Sequence, residues 1–141
     1  NLAERIFEED HYTSTERGSD GFGFSASINL LSDDLKKRGF TQAAAVATEL
    51  KTHNPQFHLD ENEVNNWAYA LLGKGKKTEA LEIFKLNVSL YPDSWNTYDS
   101  LGDGYVAVGN KELAIKNYKR SLELNPKNQN AFEQIKKLEK Q

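Results

Sequence analysis

Cysteine and methionine are both missing from these 141 residues. Without cysteine there are no disulfides, no thiolate metal sites and no cysteine nucleophile. Without methionine, Asn1 is not a translation start, which points to a processed product or a piece of a longer chain. Long apolar runs are missing too: none approaches the roughly 18 residues that a membrane span needs, so no membrane span is expected. No signal-peptide pattern opens the chain. The net charge of −3 and pI near 5.7 lack the clustered positive charge that a polyanion requires, so no nucleic acid partner is expected. Proline is scarce, with three in all, and two of them, Pro92 and Pro126, stand 34 residues apart.

That spacing belongs to a longer pattern. Glu61–Ser94 and Trp95–Asn128 align without a gap at a period of 34. Identities fall at Asn62/Asn96, Gly75/Gly109, Lys77/Lys111, Ala80/Ala114, Lys85/Lys119, Leu90/Leu124 and Pro92/Pro126. Close matches fall at Trp67/Leu101, Ala68/Gly102, Leu81/Ile115, Phe84/Tyr118 and Val88/Leu122. A period of this length is the mark of a helical-hairpin repeat. A hydrophobic share of 38% and a mean hydropathy of −0.73 suit an elongated stack, in which each unit has a thin core and a large surface.

Within the repeats, Asp60 precedes a helix with Glu63 three residues on, a capping-box pattern. Val64, Trp67, Ala68, Leu71 and Leu72 then recur at helical spacing until Gly73 and Gly75. Lys77–Leu90 follows, with Ala80, Leu81, Phe84, Val88 and Leu90 expected on its buried stripe. The second copy predicts helices over Ser94–Val108 and Lys111–Leu124, and a final helix over Asn128–Lys140 has Phe132, Ile135 and Leu138 on its apolar side. Ahead of the repeats, Asn1–Asp10 is helix-like through Leu2, Ala3, Ile6 and Phe7, and His11–Gly23 is an irregular loop. Ile28, Leu31 and Leu35 then predict a helix ended by Gly39, and Thr41–Thr52 a second one, with Ala44, Ala47 and Leu50 buried. Asn54-Pro55 closes it. This pair is a worn copy of the repeats, its proline 37 residues before the next. The expected organisation is therefore an N-terminal segment 1–23, a degenerate hairpin 24–59, repeats 60–94 and 95–128, and a capping helix 129–141.

These residues resemble the tetratricopeptide repeat, which carries W-x2-L-G-x2-Y, then A-x3-F, then P. The second copy supplies Tyr98, Leu101, Gly102, Tyr105, Ala114, Tyr118 and Pro126; the first supplies Val64, Trp67, Ala68, Leu71, Ala80, Phe84 and Pro92. The resemblance spans roughly Asp60–Gln141 and implies an all-α, right-handed solenoid of hairpins with a C-terminal capping helix. It implies a non-catalytic interaction or scaffold module that needs no cofactor and no metal. A finer resemblance lies in Ile83-Phe84-Lys85-Leu86-Asn87-Val88, Tyr91-Pro92-Asp93-Ser94 and Asn96-Thr97-Tyr98-Asp99-Ser100-Leu101-Gly102. These runs look like the repeat-bearing tail of bacterial esterase or β-lactamase-like serine hydrolases. On that reading the repeats are an accessory domain, Asn1–Phe24 is the trailing end of a catalytic one, and the partner is intramolecular.

No catalytic set is present in the chain itself. Gly23-Phe24-Ser25-Ala26-Ser27 falls short of the G-x-S-x-G elbow, and Ser25 or Ser27 reads better as a helix cap. His11, beside Glu8, Glu9 and Asp10, is a catalytic candidate only in an intact parent hydrolase; otherwise it is a surface histidine. His53, His58 and Asp60 match no metal-ligand spacing, and the sequon at Asn87 lies within a helix. The resemblance implies a concave groove lined by the first helix of each repeat. Its residues here are Asn62, Asn65, Tyr69 and Leu72, then Asn96, Asp99, Asp103 and Val106, then Asn130, Glu133, Lys137 and Lys140. Asparagine amides at recurring places can bond a peptide main chain without demanding particular side chains. The cationic clamp by which some members hold acidic tails is lacking, because its places carry Asn65, Tyr69, Ser100, Asn130 and Gln134. With Asp99 and Asp103 in the groove, the expected partner is a neutral or basic protein or peptide. Arginine at both of those positions is expected to abolish binding and leave the fold intact.

Overall fold

The computed structural model describes residues 23–141, so the readings made on residues 1–22, His11 among them, lie outside the described residues. The order is α1 (Ala26–Arg38), a 3-10 turn (Phe40–Gln42), α2 (Ala43–His53), α3 (Glu61–Gly73), α4 (Lys77–Leu90), α5 (Trp95–Ala107), α6 (Lys111–Leu124) and α7 (Gln129–Glu139). Among the described residues there is no strand. Helices adjacent in sequence pack as α1–α2, α3–α4 and α5–α6 hairpins, and α4 rests on α5 and α6 on α7. Contacts between α3 and α5, and between α2 and α4, complete a hairpin solenoid.

Polar side chains start four of the helices. Ser25, Asp60, Asn110 and Asn128 accept from backbone N–H groups three residues ahead, satisfying donors that the first turn leaves open. Gly75 and Gly109 occupy the same repeat position and share φ near +80°, which other residues adopt at a cost. Glu63 departs from the capping-box expectation. Its Oε2 accepts from the Ser25 backbone N–H at 2.9 Å, tying the start of α3 to the start of α1.

One further bond repeats with the period. Asn87 Nδ2 donates to the Glu61 carbonyl at 3.0 Å, and Ser121 Oγ, 34 residues on, donates to the Trp95 carbonyl at 2.8 Å. Each second helix thus closes onto the first residue of its own hairpin. Asn87 is consequently buried, with 1% of its surface exposed.

The core runs from Phe24 to Leu101 as one cluster, and a second one gathers Ala114, Tyr118, Ala131, Ile135 and Leu138 beneath α7. The small residues sit where helices cross. A Cβ at Gly102 would lie 2.5 Å from Cε1 of Tyr118, and one at Gly104 would lie 2.8 Å from Cδ2 of Phe84. Gly102→Ala should therefore lose about 1–2 kcal/mol, the clash outweighing the roughly 1 kcal/mol of helix propensity that alanine normally brings. Chemical denaturation checks the sign; a more stable variant would show that the Tyr118 ring yields freely.

Three burial expectations fail for local reasons. Ala44 is exposed, because the buried stripe of α2 runs through Ala43, Val46, Ala47 and Leu50, and Ala44 lies off that helical spacing. Leu90 is the last residue of α4 and is 41% exposed; Ile83, Leu86 and Asn87 carry the buried face beside Ala80 and Phe84. Phe132 is 48% exposed, since the buried stripe of α7 runs through Ala131, Ile135 and Leu138.

Candidate functional site

The first helices of the last two full hairpins and α7 carry the residues expected in the groove. Asn62, Asn130 and Glu133 are exposed, Asn65, Tyr69, Asn96 and Asp103 are half-buried, and Asp99 is buried at 9% exposure. They are not independent. The Tyr69 hydroxyl on α3 donates to Asp103 Oδ2 on α5 at 2.6 Å, across one full repeat. The Tyr118 hydroxyl on α6 donates to Asp103 Oδ1. Burial and then the Asp103 carboxylate push both phenols above their ordinary range, so each stays protonated as a donor.

Asp99 is held in a different way. Its Oδ1 accepts from Asn128 Nδ2 and from Asn130 Nδ2, each at 3.1 Å, and its Oδ2 accepts from Asn130 at 3.2 Å. Burial raises the Asp99 carboxyl above its usual value, the two asparagine amides oppose that, and the nearby Asp103 adds to it. Asn128 also donates to Ser121 Oγ at 2.8 Å, so the start of α7 is threaded onto both α5 and α6. Tyr118, Ser121 and Asn128 are residues that motif reasoning did not place as supports of Asp103 and Asp99. Their partners lie far away in sequence, and only the 34-residue offset of Tyr69 from Asp103 left a trace there.

A cleft of about 730 Å³ opens along α3, walled by Phe24, Asn62, Asn66, Tyr69 and Lys74. Tyr69 belongs both to this cleft and to the Asp103 bond. A separate pocket of about 480 Å³ lies between α2 and α4, against Phe57, Leu59, Leu86 and Tyr91. Among the described residues no three His, Cys, Asp or Glu side chains gather as a metal site; His53, His58 and Asp60 are each exposed. Also among them, no helix is long and apolar enough to cross a membrane.

Comparison with known proteins now bears on this geometry. Residues 96–128, the second copy, match the tetratricopeptide repeat model. The fold is a tetratricopeptide-type solenoid. No curated protein matches the chain. Among solved structures, the first TPR domain of Spaghetti (RPAP3), bound to the HSP90 peptide SRMEEVD, is similar at 24% identity and a TM-score of 0.55. That match covers 81% of this chain and 88% of the other. The second TPR domain of human RPAP3, in complex with the HSP70 peptide SGPTIEEVD, is similar at 18% identity and 0.56, covering 82% and 93%. The Arabidopsis OM64 TPR domain is similar at 19% and 0.55, covering 82% and 95%. Identities this low establish the fold alone. Within the tetratricopeptide frame, the Asn87 and Ser121 bonds each stand at one repeat position, and the Tyr69–Asp103 bond joins another to its counterpart in the next unit.

Proposed function

We propose that this chain is a non-catalytic protein-interaction module whose concave face holds an extended, neutral or basic peptide. The observation that carries the reading is the shared face of α3, α5 and α7, where the exposed Asn130 amide stands beside the Asp99 carboxylate and Tyr69 beside that of Asp103. The tetratricopeptide fold adds support, since two similar structures hold peptides. Both of those peptides end in Glu-Glu-Val-Asp. Here the carboxylates would oppose such a tail and favour a lysine- or arginine-bearing one, with a benefit that shrinks in salt. The occupant is either a separate protein or another domain of the parent chain. The serine-hydrolase parent rests on the sequence resemblance.

Exposed positions give the cleaner test: Asn62 and Glu133 take no part in the Asp99 and Asp103 bonds, and Glu133 accepts from the exposed Gln129 amide at 3.3 Å. Asn62→Arg with Glu133→Arg should weaken binding of an acetylated tetralysine amide by about tenfold at low salt while leaving the thermal midpoint within about 2 °C. Titration calorimetry reads the affinity and circular dichroism the midpoint. Equal affinity in the variant and the parent would rule out the groove.

A further inference from the structure

Asn130 holds an unusual place in the groove. Asp99 is gripped from two sides, and the two grips differ in exposure. Asn128 is 7% exposed and fixed from within, since its Oδ1 also caps α7 by accepting from the Ala131 N–H at 3.3 Å. Asn130 is exposed, and its one amide nitrogen reaches both Asp99 oxygens, at 3.1 and 3.2 Å. A single nitrogen straddling both oxygens of a carboxylate from the solvent side is the placement of a lysine ammonium, which bonds the same group more strongly because it is charged.

We propose that Asn130 is an intramolecular stand-in, occupying on Asp99 the seat that a cationic side chain of the partner takes when Asn130 turns aside. This rests on the basic-partner reading and adds a built-in competitor to it. The exchange is local. Asn128 keeps its bonds to Asp99, Ser121 and the Ala131 N–H, so α7 stays capped and docked when Asn130 leaves. It also replaces a neutral donor by a charged one at a buried carboxylate, where the difference counts most. The groove therefore has a threshold: a neutral peptide meets a carboxylate already bonded, whereas a cation displaces the amide.

The test uses acetylated tetralysine amide as probe, titrated at low salt into the whole chain and into Asn130→Ala, with the Asp99 carboxyl carbon followed by NMR. Asn130→Ala should bind about tenfold more tightly, the loss of one competing hydrogen bond, and the Asp99 resonance should move on binding. Circular dichroism confirms that α7 remains folded. Binding by the parent with no gain in the variant, or a gain without movement at Asp99, overturns the proposal and leaves the groove reading standing. Binding by the variant alone upholds it. No binding by either protein overturns both.

Discussion

Arginine at both Asp99 and Asp103 should unfold the C-terminal half of the stack instead of merely emptying the groove. The sequence alone suggests a harmless charge reversal on a surface. In the fold, Asp103 is the acceptor for two tyrosine hydroxyls and Asp99 for two asparagine amides. Replacing both takes the shared acceptor from the Tyr69 and Tyr118 hydroxyls, removes the Asp99 ties of α7 and forces cations into the space. Breaking buried polar partnerships of this kind costs about 3–5 kcal/mol, against a total stability of roughly 5–15 kcal/mol for a domain. Thermal unfolding followed by circular dichroism should show a midpoint lowered by more than about 10 °C, or no cooperative transition. A variant that melts with the parent would mean that neither carboxylate holds the helices together.

Tyr118→Ala should be comparably damaging for a different reason. The ring is fully buried and fills the notch above Gly102, so its loss leaves a cavity that a glycine cannot help to close. The expected cost is about 3–5 kcal/mol. Tyr118→Phe separates ring from hydroxyl: it keeps the packing, removes one bond to Asp103 and should cost about 1–2 kcal/mol. The order parent, phenylalanine, alanine in denaturant midpoint is the prediction. A phenylalanine variant as stable as the parent would remove Asp103 from the hydrogen-bonded centre of the groove.

Much of this architecture can be read before any coordinates. The 34-residue offset, the caps at Ser25 and Asp60, and the small residue Gly102 at a close helix crossing each have a local cause that sequence spacing preserves. What spacing does not preserve is which edge of a run of small residues faces in. In Ala43-Ala44-Ala45 the stripe through Val46, Ala47 and Leu50 takes Ala43 in and leaves Ala44 out. Nor does it preserve the fate of a polar group. Asp99 looks like a free groove carboxylate until Asn128 and Asn130 are brought back to it from 29 and 31 residues away. Glu63 likewise bonds Ser25, 38 residues earlier, where a capping box would turn it inward. The repeat offers candidate groove positions; the bonds that occupy some of them arise only when successive hairpins meet.

The Asn87 and Ser121 bonds and the Tyr69–Asp103 bond act at different levels of this assembly. The first kind is sealed inside one hairpin, so a unit carries its own closure wherever it stands along the array. The second kind is a handshake between neighbours, donor on one and acceptor on the next. Units alike in shape are thereby fitted to one another at their seam, the tyrosine of one meeting the aspartate of the next.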